Sequence, residues 1–356
     1  MSTKIVSSRF HVLDIFLAFI PISIALYYLD VNPVVTFFIT GAAIIAISHV
    51  IIEATGVITQ RVSTTIAALL NATFGNAFEF LIAIFSLRQG LVDLVKYSMV
   101  GSIVINVLLL IGLSMFFGGF KYKEQRFNKD SAGLSSTMLI IVITGLALPS
   151  VYSMLQDKPA TSMSLAVSVV LGIVYLLSLL YTLVTHKHLF LVERETPYSS
   201  ARRPWSLPTA VFILVIAVGL GGFESYLLVN TVIPLITEIN LTQRFAGVVI
   251  IAVLTNIPEH ISAINFARRN NMTMSLEIGM SSALQIALFV IPALVLLSTA
   301  VTGTTLDLVF GPFSLIALVM TAMIANYIST DGICHWLEGT QLIAVYVLIA
   351  IAFYFI

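Results

Sequence analysis

Long runs of hydrophobic residues, separated by short polar breaks, cover the chain from one end to the other. A helix needs about 20 predominantly apolar residues to cross a bilayer. Transmembrane β-strands would instead show short segments of alternating hydrophobicity, which these runs do not resemble. We therefore predict an all-α integral membrane protein with about eleven spanning helices: 12–29, 33–52, 62–87, 94–118, 136–155, 163–185, 205–228, 245–267, 274–298, 307–329 and 332–355.

The composition supports a membrane protein and excludes several other classes. Hydrophobic residues make up 59% of the 356 residues, charged residues only 10%, and the mean hydropathy is +1.05. A soluble domain carries about 25% charged residues, and a disordered chain is far less hydrophobic. The 17 basic residues balance the 17 acidic ones, so nothing indicates nucleic-acid binding. The single cysteine, Cys334, excludes an internal disulfide or a cysteine-based metal site.

The distribution of positive charge predicts the topology. Lys4 and Arg9 precede an apolar run, but the run is long, contains Pro21 and has no clear cleavage site, so we interpret it as a retained first span. With eleven spans, 13 of the 17 basic residues lie on the side of the N-terminus. The positive-inside rule then predicts a cytoplasmic N-terminus and an external C-terminus. Four basic residues lie on the other side: Arg88, Lys96, Lys158 and Arg244.

Two similar segments, 61–90 and 243–270, indicate an internal repeat. Three residues of the first segment match three of the second at a constant offset of 180: Asn76 with Asn256, Glu79 with Glu259, and Arg88 with Arg268. In the helix that follows each segment, a one-residue gap pairs Ser102 with Ser281 and Asn106 with Gln285. Repeats of this kind are typical of secondary transporters.

The repeat divides the chain into four predicted parts. Residues 1–32 hold an extra N-terminal helix, 33–185 form a first five-helix half, and 205–356 form a second five-helix half. Residues 186–204 are the predicted cytoplasmic linker. Because each half has an odd number of spans, we expect the halves to be inverted relative to each other, with a substrate site on interrupted helices near the midplane.

Glu79 and Glu259 are the strongest candidates for function. A carboxylate at the centre of a membrane helix costs at least ~2.5–3.5 kcal/mol, so intramembrane carboxylates usually mark ion pathways. The alternative is a pair of protonated glutamates that only bond neighbouring helices. Gly75 and Pro258 weaken the two helices nearby, which frees backbone carbonyls as ligands.

Polar residues around the two glutamates predict the kind of ion. Asn76 and Asn256 lie three residues before the glutamates, while Ser102, Asn106, Ser281 and Gln285 lie on the following helices, where they either support the site or join helices. All these ligands are oxygen donors, which suit Ca²⁺ better than zinc or copper. Mg²⁺ is less favoured because it keeps its waters.

The residues Asn-Ala-Thr-Phe-Gly-Asn-Ala-Phe-Glu at 71–79 resemble the first repeat motif of the proton/calcium exchangers, the CAX branch of the calcium:cation antiporters. Thr-Asn-Ile-Pro-Glu-His at 255–260 and Ser-Ala-Leu-Gln at 282–285 resemble the second motif. The resemblance implies Ca²⁺ export driven by protons, with Glu79 and Glu259 as alternating Ca²⁺ and H⁺ carriers. It also implies that Gln285 and the residues around Asn106 support the carboxylates. No cofactor is expected besides the transported ions.

Two departures from the family pattern keep alternatives open. Thr255 stands where the family usually has glycine, and Pro258 before Glu259 resembles the sodium/calcium branch, so Na⁺-coupled exchange remains an alternative. A cation channel is less favoured, since one chain already supplies two halves with one glutamate each. An enzyme is not expected, because neither a zinc-protease motif nor an aspartate dyad is present. The absence of a long tail or a strongly acidic linker favours a prokaryotic cell membrane.

Three further acidic residues are weaker candidates. Glu53 and Glu224 lie near the predicted ends of their spans, where they either line an ion pathway or extend to the interface. Glu277 either lines the cytoplasmic approach or pairs with Arg268 or Arg269.

Overall fold

The computed structural model describes residues 12–185 and 205–356, so the predicted linker at 186–204 lies outside the described residues. In the first stretch the helices are a short 3₁₀ helix Val12–Ala18, α1 Phe19–Tyr28, α2 Pro33–Thr59, α3 Thr64–Gly75, α4 Ala77–Arg88, α5 Val92–Val104, α6 Ile111–Tyr122, α7 Lys129–Gln156 and α8 Thr161–Leu180. In the second stretch they are α9 Leu207–Glu238, α10 Gln243–Phe245, α11 Ala252–Ala267, α12 Met272–Gln285, α13 Ile291–Thr302, α14 Pro312–Ile328 and α15 Trp336–Phe355. Within these two described stretches, four π-helical segments join or extend the helices: Ile105–Leu110, Tyr181–Thr185, Ala246–Ile251 and Ile286–Val290.

The helices confirm a multi-pass, all-α membrane protein. Among the described residues, eight continuous helices are long and apolar enough to cross a membrane, or nine if α3 and α4 count as one broken span. Ile15–Tyr28 and Pro312–Ile328 are shorter apolar helices. Each of the eleven predicted segments coincides with one of these helices or helix pairs, while the number of spans stays a prediction.

One compact unit contains the chain up to Phe78 together with α9. In this unit α2 and α9 are antiparallel, because Asn32 Nδ2 donates to Glu238 Oε1 (2.9 Å) at one end and Arg61 donates to the Trp205 carbonyl (2.9 Å) at the other. Asn32 also caps α2 by accepting from two backbone N–H groups at its start. Buried aliphatic side chains on both helices form the core of this unit.

The second compact unit contains the chain from Glu79 to α8 and from Ile239 to the end. Its helices approach closely where glycines replace larger side chains. On α6 and α15, a Cβ at Gly339 would lie 2.6 Å from the Gly112 carbonyl oxygen. On α5, a Cβ at Gly101 would lie 2.5 Å from the carbonyl oxygen of Val248. Small residues therefore let backbones pack against one another, as is common between membrane helices.

A two-stranded antiparallel sheet was not predicted. Strands β1 (Glu124–Arg126) and β2 (Ile333–His335) pair with Gln125 opposite Cys334. Three residues are too few for a readable alternation of polar and apolar positions, so the sequence carried no strand signal here. The buried Gln125 side chain donates to the Ala267 carbonyl (2.8 Å), which links the sheet to the end of α11.

The two compact units do not follow the predicted halves, since each unit draws on both. The predicted halves, 33–185 and 205–356, are therefore not the compact units of the fold. The division of the chain into two repeats stays a prediction.

Candidate functional site

The carboxyl groups of Glu79 and Glu259 lie close together in the second unit, although 180 residues separate them. Glu79 lies in the first turn of α4 with only 4% of its surface exposed. Its carboxyl group lies near the Thr255 side chain and is near enough to Glu259 for the two charges to interact. Glu259 is half-buried, with its Oε2 atom shielded from solvent. The structure thus places the two predicted carboxyl groups near each other.

The backbone next to both glutamates departs from a regular helix. α3 ends at Gly75, Asn76 has non-helical angles (φ −111°, ψ 28°), and α4 begins at Ala77. A helix end leaves its last carbonyls without intrahelical partners. Pro258 lies within α11, and because proline has no N–H, the carbonyl of Leu254 loses its helical donor. Both interruptions therefore offer backbone oxygens one turn from a glutamate.

Buried amides and hydroxyls form a hydrogen-bond network next to the glutamates. Asn106 Nδ2 donates to Asn256 Oδ1 (2.7 Å) and to Ser282 Oγ (3.0 Å). Asn256 Nδ2 contacts Ser102 Oγ (3.2 Å) and Thr255 Oγ1 (3.1 Å). Since Thr255 also lies near the Glu79 carboxyl, the network places polar side chains of α5, α11 and α12 beside the carboxyl pair.

Two acceptor oxygens of this cluster make no hydrogen bond within the described part of the chain: Asn106 Oδ1 and Glu259 Oε2. A buried acceptor without a donor costs about 1–3 kcal/mol, so both oxygens favour a positively charged ligand. Among the described residues, no three or more His, Cys, Asp or Glu side chains come together in a group that could hold a metal ion by themselves. A pair of carboxylates with neutral oxygens around it is the donor set of a hard cation rather than of zinc or copper.

The structure does not bring Ser281 into the cluster. Ser281 is exposed, and its hydroxyl bonds the carbonyl of Ile278 on its own helix. The next residue, Ser282, is buried and bonds Asn106. The offset of 180 that relates Glu79 to Glu259 also relates Ser102 to Ser282, so the one-residue gap in the predicted alignment caused the error.

The remaining predicted residues lie near the network along the chain. Gln285 is half-buried at the end of α12, one turn after Ser282. Asn76 is buried at the end of α3. On α3, Asn71 Oδ1 is buried with no hydrogen-bond partner among the described residues.

π-helical segments adjoin the network and were not predicted. Asn106 is the second residue of Ile105–Leu110, and Ile286–Val290 begins directly after Gln285. A third segment, Ala246–Ile251, precedes α11. Segments of this type are rare and concentrate at functional sites. Their wider hydrogen-bond spacing rotates the side chains that follow, which a pattern with a 3.6-residue period does not register.

The other acidic candidates have different surroundings. Glu277 accepts a hydrogen bond from Ser131 (3.2 Å) in a small cleft that Asn128 and Thr273 also line. No ion pair joins Glu277 to Arg268 or Arg269 in the described residues. The prediction that Glu224 lies near a span end is wrong, because α9 continues to Glu238 and buries Glu224 completely. Glu53 interacts with His49 on α2 (3.6 Å).

Comparison with known proteins gives consistent matches. The family model described as "sodium/calcium exchanger protein" matches residues 32–184 and 209–355. The Ca²⁺/H⁺ antiporter of Aphanothece halophytica is 38% identical to this chain, over an alignment that covers 95% of each protein. The Ca²⁺/H⁺ antiporter ChaA of Bacillus subtilis is 35% identical, over 94% of this chain and 96% of the relative.

Solved structures match as well. The structure of native YfkE superposes with a TM-score of 0.84 at 33% identity, covering 97% of this chain and all of that one. The crystal structure of the H⁺/Ca²⁺ exchanger CAX has a TM-score of 0.72 over 96% of this chain, and at 17% identity this likeness shows the fold alone.

Proposed function

Because the chain belongs to the sodium/calcium exchanger protein family, we propose that it exchanges Ca²⁺ for H⁺ across a membrane by alternating access. The observation that carries the proposal is the convergence of the buried Glu79 carboxyl and the half-buried Glu259 carboxyl beside a network of buried amides and hydroxyls. The similarity to Ca²⁺/H⁺ antiporters over nearly the whole chain supports protons as the coupling ion.

The transported ion fits the donor set of the cluster. Two ionised carboxylates neutralise the charge of one Ca²⁺, and Ca²⁺ accepts irregular sets of six to eight oxygens. The unpaired Asn106 Oδ1 and Glu259 Oε2 are available as neutral and charged ligands. Asn76, Asn256, Gln285 and Ser102 support the carboxylates in this proposal, and Ser282 takes the place predicted for Ser281.

Competition between ions at the two carboxyls produces exchange. Ca²⁺ binds the ionised carboxylates, so its binding releases protons, and protonation of either carboxyl removes a charge that Ca²⁺ requires. If the site opens to one side of the membrane at a time, each ion leaves only when the other replaces it. The coupling then needs no resident cofactor and no covalent step.

The proposed architecture follows from the repeat. The two segments matched by the family model correspond to the two predicted halves, and inverted halves give a fixed site two equivalent ways to open. We further propose a cell-membrane location, which the similarity to bacterial antiporters supports. The positive-inside rule supports a cytoplasmic N-terminus.

Proteoliposomes with imposed ion gradients test the proposal. We expect wild-type protein to accumulate Ca²⁺ against its gradient when a pH gradient is imposed, and Glu79→Gln and Glu259→Gln each to abolish this uptake. Glu124→Gln, the same substitution at a residue of β1 outside the cluster, is the matched control and should retain uptake.

Three outcomes would contradict the proposal. Full exchange in either glutamine variant would refute the site. Uptake that follows a Na⁺ gradient and ignores pH would favour the sodium-coupled alternative, which the Pro258-Glu259 pair resembles. Dissipation of a Ca²⁺ gradient without any counter-transport would indicate a channel.

A further inference from the structure

A third intramembrane carboxyl group, Glu224, lies outside the proposed exchange mechanism. It is in the middle of α9 and is completely buried. Ser23 of α1, also completely buried, lies 2.8 Å and 2.9 Å from the two Glu224 carboxyl oxygens. This contact joins the extra N-terminal helix to α9 within the first unit.

The number of protons at this contact determines the charge of Glu224. The Ser23 hydroxyl has one proton but lies within hydrogen-bonding distance of three acceptors, since the Ile20 carbonyl is also 2.8 Å away. A serine within a helix commonly donates to the carbonyl three or four residues earlier. If Ser23 donates to Ile20, the hydrogen bond to Glu224 requires a proton from the carboxyl group itself.

The ionised alternative leaves a buried charge nearly unsupported. A carboxylate at this position would receive at most one hydrogen bond from Ser23, and that bond would remove the bond to Ile20. Within the described part of the chain, Ser23 is the only side chain that bonds the Glu224 carboxyl. A buried charge without a partner is so costly that such groups usually become neutral.

The titratable groups on the helices packed around Glu224 do not supply a counter-charge. On α2, His49 and Glu53 interact with each other. On α1 the titratable residues are Tyr27 and Tyr28, and on α9 they are Tyr226 and Glu238, of which Glu238 is bonded to Asn32 at the far end of the helix. The side chain of Asp14, in the preceding 3₁₀ helix, lies outside the described residues.

We infer that Glu224 is a third proton-binding site, which donates its proton to Ser23 and thereby holds α1 against α9. Loss of this proton would leave a charge between the helices, which Ser23 can meet with at most one hydrogen bond and only by giving up its bond to the Ile20 carbonyl. The contact is therefore stable while Glu224 is protonated and weakens as the pH rises through its titration. This inference goes beyond the proposed exchange, which requires only Glu79 and Glu259.

Infrared difference spectroscopy on the full-length protein in lipid tests the protonation. The carbonyl stretch of a protonated carboxylic acid is separate from the bands of ionised carboxylates. We expect wild-type protein at neutral pH to show such a band that is missing from Glu224→Gln. Ser23→Ala should shift the frequency of this band, because the hydrogen bond is lost. Ser225→Ala is the matched control: its buried hydroxyl has no partner among the described residues, so the band should not move.

Spin labels on α1 and α9 test the docking. Labels at the exposed positions Tyr28 of α1 and Ile216 of α9, in a Cys334→Ala background, report the distance between the two helices. We expect a narrow distance distribution at low pH that broadens as the pH rises in wild-type protein. In Glu224→Gln the distribution should stay narrow at every pH, because the glutamine amide donates to Ser23 without titrating.

Either of two results would overturn the inference. The infrared band of the protonated carboxyl group could be equally strong in wild-type protein and in Glu224→Gln, or its frequency could be the same in wild-type protein and in Ser23→Ala. Alternatively, the distance distributions of wild-type protein and Glu224→Gln could respond identically to pH. If Glu224→Gln fails to fold, the Ser23→Ala band shift decides the question by itself.

Discussion

Replacing Gly101 by alanine tests the close packing that supports the cluster. A Cβ at this position of α5 would lie 2.5 Å from the Val248 carbonyl oxygen, 2.6 Å from its Cα and 2.8 Å from its carbonyl carbon. Ordinary contacts begin at 3.4 Å, so the two backbones must separate by about 0.9 Å. The neighbour is backbone in the π-helical segment Ala246–Ile251, which cannot rotate away as a side chain could.

The net effect follows from two opposing terms. Overpacking of this kind costs typically ~1–3 kcal/mol. Alanine in place of glycine within a helix gains up to ~1 kcal/mol. Gly172, on α8 of the same unit, has nothing within 4 Å of its added Cβ, so Gly172→Ala keeps the gain without the cost. We therefore expect Gly101→Ala to be less stable than Gly172→Ala by roughly 1–3 kcal/mol, the overpacking cost alone.

Unfolding of the detergent-solubilised protein by titration with a denaturing detergent measures this difference. Exchange in proteoliposomes provides a second measurement. The contact of Asn256 Nδ2 with Ser102 Oγ, at 3.2 Å, is next to Gly101 and would be broken by the separation, so Gly101→Ala should also slow exchange. Equal stability and equal exchange rates in the two alanine variants would refute the close approach and the reasoning built on it.

Three other predictions concern the cluster and the sheet. Glu79→Gln and Glu259→Gln should each abolish Ca²⁺/H⁺ exchange, and retained exchange in either would exclude that residue as a carrier. Asn106→Leu removes the donor to two buried oxygens, so at ~1–3 kcal/mol for each unsatisfied oxygen we expect this variant to be less stable than wild-type protein by at least roughly 1–3 kcal/mol. It should also exchange more slowly than Ser282→Ala, and equal exchange rates in both variants would contradict the network. Cys334 is 1% exposed, so it should resist maleimide labelling in the folded protein. A cysteine introduced by Tyr327→Cys, at a residue that is 80% exposed, should label at once. Rapid labelling of Cys334 would show that the β1–β2 pair opens.

The helices could be predicted because their signal is local and long. A run of about 20 apolar residues indicates a membrane-spanning helix whatever its tertiary contacts are, and the predicted segments coincide with helices. The break between α3 and α4 was also predictable, since Gly75 weakens a helix whatever surrounds it. The repeat identified Glu79 and Glu259 because two charges at matching mid-span positions are rare in an apolar chain.

Signals that are short, or that depend on alignment, were weaker. Three-residue strands carry no periodicity, so the β1–β2 pair was missed. Ser281 was predicted where Ser282 bonds Asn106, because adjacent residues on a helix point about 100° apart and a one-residue error changes the face. The surroundings of Glu224 were misjudged because the end of α9 was placed ten residues too early.

The sequence by itself determined that this protein lies in a membrane, the order of its helices and the two carboxyl groups proposed to bind its ions. It could do so because hydropathy and rare charges within apolar runs are visible along the chain without knowledge of any contact. Only the tertiary structure decided which side chains meet. The contacts of Glu79 with Thr255, of Asn106 with Asn256 and of Ser23 with Glu224 each join helices that are distant in the chain. Such pairs depend on how helices rotate and cross, which in turn depends on close glycine contacts and on π-helical segments.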